Sequence, residues 1–186
     1  MRRLAVLFLF AIAFSVARAD EPISVMILDG ESGGSYHDWP RVTRALMQIL
    51  YDAGLFEVSV VTAPPAGGDF SAFEPRFESF DTIVLNYDAP DTRWPDRLEA
   101  SFEQYVREGG GIVAVHAADN AFPGWSAYNE MLGVGGWRNR DERAGPYWYF
   151  SGTELIRDES AGPAGSHGRR EPFTVVVRDR AHPIMR

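Results

Sequence analysis

At 186 residues the chain suits one domain with a sizeable core, and its 26 acidic side chains against 18 basic ones give a formal net charge of −8. So acidic a surface repels phosphate backbones and anionic membranes, which argues against a nucleic-acid partner. Cysteine is absent and every basic side chain is arginine, which excludes disulfides, thiolate metal sites, a cysteine nucleophile and Schiff-base chemistry on lysine.

In chain order, residues 1–19 read as a secretory leader. Arg2 and Arg3 precede an apolar run from Leu4 to Val16, and Ala17-Arg18-Ala19 supplies the cleavage pattern. The expectation is a protein exported to the periplasm or beyond the cell, with a domain over residues 20–186. Its mature form keeps 15 arginines against 26 acids, a net charge of −11. The apolar run is shorter than the roughly 20 residues of a spanning helix, so no membrane span is expected.

Ile23 to Asp29 is nearly continuous in apolar residues, the pattern of a parallel strand covered on both faces. Asp38 can cap a helix from Trp39 to about Ala53, with Pro40 in its first turn, Gly54 ending it, and a buried stripe of Val42, Leu46, Ile49, Leu50 and Ala53. Phe56 to Thr62 predicts a second strand, Pro64 to Arg76 a connection, and Thr82 to Asn86 a third strand. Leu98, Phe102, Tyr105 and Val106 recur at helical spacing within Pro95 to Glu108, before a glycine turn and a fourth strand from Gly111 to Val115. This alternation argues for a parallel sheet between helical layers. A short helix is expected around Trp125 to Met131. Further strands are expected at Tyr147 to Phe150 and Phe173 to Val177, joined by a Gly-, Ser- and Arg-rich loop from Ser160 to Arg170.

In open parallel sheets ligands bind outside the carboxyl ends of the strands, so the candidate chemistry collects there. His116 follows the fourth strand and is the first choice for general acid, general base or metal ligand. His37 follows the first strand at the start of a helix. Asp119 could orient an imidazole, Asn120 and Asn86 could bind hydroxyls, and His167 lies in a loop able to fold over the crevice. Trp125, Tyr128, Trp137, Tyr147 and Trp148 form an aromatic set suited to stacking on sugar rings, with Trp125 the preferred platform; packing under a loop competes with that reading. Arg138 could hold a carboxylate or sugar hydroxyls, although Arg138, Arg140, Asp141, Glu142 and Arg143 also read as a solvated ion-pair cluster. His182 before Pro183 reads as a turn residue. HExxH does not occur, and no nucleotide motif is present. A metal held by His37, His116 and His167 across loops stays open, so the cofactor is unassigned.

His37-Asp38-Trp39, the strand TIVLNYD, the block GGGIVAVHAADNAFPGWSAYNEMLGVGGWRNRDE and the terminal Ala181-His182-Pro183-Ile184-Met185 together resemble the ThuA-like (trehalose utilisation) family. The resemblance implies a flavodoxin-like three-layer α/β sandwich with a mainly parallel central sheet, a branch of the class I glutamine amidotransferase-like fold. Those amidotransferases place a cysteine at the sharp turn after a strand, where this chain has His116, so the thiol chemistry does not transfer. The family's chain continues past a His-Pro-Ile run into further strand and helix, so the domain is expected to be truncated at its carboxyl end. The implied function is carbohydrate metabolism on a disaccharide, glycoside or 3-keto-glycoside. A noncatalytic carbohydrate-binding domain and a metal-dependent hydrolase are the alternatives.

Overall fold

The computed structural model describes residues 21–34, 36–133, 141–142, 145–163, 169 and 171–185. The expected leader therefore lies outside the described residues, as do Trp137, Arg138, Arg140, Arg143 and His167. No helix among the described residues is long and apolar enough to cross a membrane.

Strands β1 (Ile23–Asp29), β2 (Phe56–Thr62), β3 (Thr82–Leu85) and β4 (Gly111–Ala114) form a four-stranded parallel sheet in the order β2-β1-β3-β4. Between them run α1 (Trp39–Ala53) and α2 (Asp96–Arg107), and α3 (Ser126–Leu132) follows β4. Successive side chains on a strand point to opposite faces, and here both faces are covered. On one face Met26, Leu28, Ile83 and Leu85 pack with Leu98, Phe102 and Tyr105 of α2, Tyr128 of α3, and Phe77, Trp94, Phe122 and Trp125 from the connections. On the other face Val25, Ile27 and Val84 meet Leu46 and Leu50 of α1. The result is a three-layer, flavodoxin-like α/β fold, with each fully buried side chain contributing roughly 1.5–3 kcal/mol.

Local chemistry sets the helix ends. The Asp38 carboxylate accepts from the Arg41 N–H at 3.1 Å, Pro40 sits in the first turn where its missing N–H costs nothing, and Gly54 closes α1 at φ +66°. The buried stripe of α1 is narrower than the spacing predicts. Val42, Leu46 and Leu50 are half-buried and Thr43 is buried, whereas Ile49 is 64% exposed and Ala53 also faces solvent. A helix lying on one sheet face buries a limited arc, and the five-residue stripe is wider than that arc.

Two differences from expectation lie beyond α3. Strand β5 (Tyr147–Ser151) pairs antiparallel with β6 (Glu154–Asp158), a hairpin partner that the alternation did not reveal. Phe173 to Val177 is not a strand, and Phe173 is 85% exposed. Its β-branched composition suits a strand, but a strand also needs a neighbour for its N–H and C=O groups, and no described strand pairs with it.

Candidate functional site

Sheet order reverses direction between β1 and β3, the place at whose carboxyl ends open α/β sheets bind ligands, and the loops after β1, β3 and β4 lie at that end. A buried polar network underlies this end of the sheet. Asp29, the last residue of β1, is 1% exposed and accepts hydrogen bonds from Thr43 Oγ1 at 2.5 Å and Thr62 Oγ1 at 2.7 Å. Asn86, just past β3, donates from Nδ2 to the Trp39 carbonyl and to Thr43 Oγ1, each at 3.0 Å. Its amide thus ties β3 to α1. Gly30 then turns the chain at φ +128°, where a Cβ would stand 2.4 Å from the Ala63 carbonyl oxygen, so only glycine fits this approach.

The three loops are bonded to one another. Arg93 donates to both oxygens of Glu31, at 2.6 and 2.8 Å, and the Asp88 N–H donates to the Glu31 carbonyl at 3.1 Å. This bidentate pair is more than half buried on both sides and holds the Arg93 guanidinium above the usual arginine range. The Phe122 N–H donates to the Ala89 carbonyl at 2.9 Å, and the Gly124 N–H to Asp91 Oδ1 at 2.7 Å. Burial, with the Glu31 carboxylate nearby, pushes the Tyr87 phenol well above the ordinary tyrosine range. It therefore stays protonated and does not act as a base at neutral pH.

Within this frame His116 and His37 come together. The Val115 N–H closes onto the Leu85 carbonyl at 3.0 Å, and the chain then turns sharply, with His116 at φ +45°. Non-glycine residues pay roughly 1–2 kcal/mol to enter this left-handed region. Such strain collects at functional sites, where the surroundings hold it in place. The exposed His116 ring lies 4.9 Å, centroid to centroid, from the ring of half-buried His37, at 81° to it. Tyr36 stands edge-on to His37 at 4.5 Å. Asp119 and Asn120 are half-buried on the short helical turn His116–Asn120, in the same loop as His116.

The aromatic candidates fall elsewhere. Trp125 is 9% exposed and Tyr128 1%; their rings stack on each other at 5.4 Å, Trp125 Nε1 donates to Glu103 at 2.9 Å, and Tyr128 Oη donates to the Ala118 carbonyl at 2.7 Å. Both are packed into the aromatic core. Tyr147 and Trp148 lie on the β5–β6 hairpin. The Asp38 side chain is the helix cap. His182 Nδ1 accepts from the Ile184 N–H at 3.3 Å in a terminal turn. Among the described residues no group of three or more His, Asp or Glu side chains is arranged to hold a metal.

Tyr36, the Asp29–Thr43–Asn86 network and the Glu31–Arg93 pair escaped the sequence reading. Tyr36 carried a signal, as an aromatic beside His37 in a Gly- and Ser-rich loop. Glu31 and Arg93 are 62 positions apart and carried none.

Comparison with known proteins agrees with this fold. The family model ThuA, described as trehalose utilisation, matches residues 24–186. The chain belongs to the ThuA family. A crystal structure of a ThuA-like protein from Parabacteroides merdae superposes with a TM-score of 0.81 at 39% identity over 89% of this chain. This ThuA-family chain spans 57% of the length of that protein. A second ThuA-like crystal structure, from Bacteroides uniformis, gives a TM-score of 0.46 at 22% identity, covering 69% of this chain and 53% of its own. No curated protein matches the chain.

Proposed function

We propose that this ThuA-family chain is an exported carbohydrate-processing enzyme that cleaves a disaccharide, glycoside or 3-keto-glycoside by acid/base chemistry on His116 and His37. The observation that carries this reading is the His116 imidazole, exposed at φ +45° at the carboxyl end of β4, with its ring 4.9 Å from that of His37. A strained, exposed side chain beside a second proton-transferring group is the arrangement that general acid/base catalysis needs. The family's association with trehalose utilisation supports a sugar as the substrate.

On a 3-keto-glycoside the proposed step begins at the carbon next to the ketone. An imidazole nitrogen of His116 takes the C2 proton, and the electron pair passes to the C3 oxygen as an enolate. The enolate collapses, C3=O re-forms, C1=C2 forms, and the C1–O bond breaks. The departing aglycone oxygen takes a proton from His37, and water adding to the enone regenerates the 3-keto sugar. Asp119 and Asn120 lie in the loop that carries His116, placed to orient it or to hold a hydroxyl.

Sugar release from 3-keto-trehalose and from trehalose, read by chromatography, tests the reading. The purified chain is expected to release glucose from the keto sugar. His116→Ala should lower that rate by about 10² to 10⁴, the range ascribed to one acid/base group. Binding of either sugar without release would overturn the enzymatic reading and leave a carbohydrate-binding domain.

A further inference from the structure

We infer that Tyr36 is the stacking platform of a pyranose subsite beside the histidine pair. This inference rests on the carbohydrate reading above and adds the residue and the face of the sugar that it would recognise. The tyrosine is 80% exposed: its ring stands edge-on to His37 at 4.5 Å, and His37 in turn meets His116 at 4.9 Å. Gly34 lies behind it at φ +135°, and a Cβ there would stand 2.8 Å from the Tyr36 ring, so the absent side chain lets the ring lie on the backbone. The turn is closed by hydrogen bonds from the Gly34 N–H to the Ser32 carbonyl at 2.8 Å and from the His37 N–H to the Gly34 carbonyl at 3.0 Å.

A phenol ring exposed to water beside the histidine pair presents apolar surface that a ligand can cover. The ligand class follows from the ring's two-sided character. A pyranose presents an apolar C–H face to the ring and directs its hydroxyls to the rim, where polar groups of the loops can meet them. The aromatics that follow His116 in sequence, Phe122, Trp125 and Tyr128, are committed to the core. Among the described aromatics, Tyr36 is the one that is both exposed and in ring contact with the histidine pair.

Saturation-transfer NMR of trehalose and 3-keto-trehalose, titrated with wild type, Tyr36→Phe, Tyr36→Ala and Tyr51→Ala, tests this. Tyr51 is 78% exposed on α1 and serves as a remote aromatic control. Wild type, Tyr36→Phe and Tyr51→Ala are expected to show transfer to the ring C–H protons with similar Kd, and Tyr36→Ala to bind about tenfold more weakly. Circular dichroism checks that each variant is folded. Unchanged affinity in Tyr36→Ala would overturn the platform and leave the proposed function standing. Absence of transfer to either sugar in wild type would overturn both.

Discussion

Replacing His37 and His116 by alanine, singly and together, is expected to give losses in kcat/KM that do not multiply. Each single variant should lose about 10² to 10⁴ on a 3-keto disaccharide, and the double variant should fall within roughly tenfold of the worse single. The ring contact at 4.9 Å is the reason. Side chains that act as a unit on one proton-transfer sequence lose most of their value when either is removed, so their effects couple. His116→Gly separates catalysis from folding. Glycine relieves a left-handed conformation costing roughly 1–2 kcal/mol, while its extra freedom in the unfolded chain costs roughly 0.5–1 kcal/mol. This variant should therefore be about as stable as wild type in urea unfolding, yet as inactive as His116→Ala. Marked destabilisation of His116→Gly would mean that His116 is structural, and two single losses that multiply in the double variant would mean that the histidines act independently.

Phe102→Ala is expected to cost about 3–5 kcal/mol, the range for truncating a buried aromatic. Phe102 is 0% exposed and stands among Phe77 at 5.2 Å, Trp94 at 5.8 Å, Trp125 at 6.1 Å and Tyr128 at 6.4 Å. Large rings on every side cannot collapse into the space a phenyl leaves, so most of the cavity penalty persists. For a domain of this size the midpoint of thermal unfolding should fall on the order of 10 °C. Below that midpoint, sugar binding should be retained, because the histidine rings are not among the cluster's members. A fall of only a degree or two would show that α2 is not pinned to the sheet by this ring.

The same cluster explains what could be read in the sequence and what could not. Continuous apolar runs such as Val25 to Leu28 specify strands buried on both faces, and the helical spacing of Leu98, Phe102 and Tyr105 specifies one buried face, so sheet and layers were legible. His37 and His116 were legible because each follows a strand, and the architecture gathers strand ends. Trp125 and Tyr128 were not, because a sugar platform and a core aromatic have the same composition and differ only in what covers the ring. The Glu31–Arg93 pair and the Asp29–Thr43–Asn86 network join residues distant in sequence, and local periodicity holds no trace of such contacts. Phe173 to Val177 shows the converse: its composition fits a strand, but composition cannot supply the neighbour that a ladder requires.

That His116 serves as a base toward a sugar is tested by proton NMR of 3-keto-trehalose in D₂O with the purified chain. With wild type the C2 proton is expected to be lost or exchanged for deuterium at a rate about 10² or more above that with His116→Ala. Sugar release with the C2 proton retained in the product, or equal exchange in the two proteins, would contradict it.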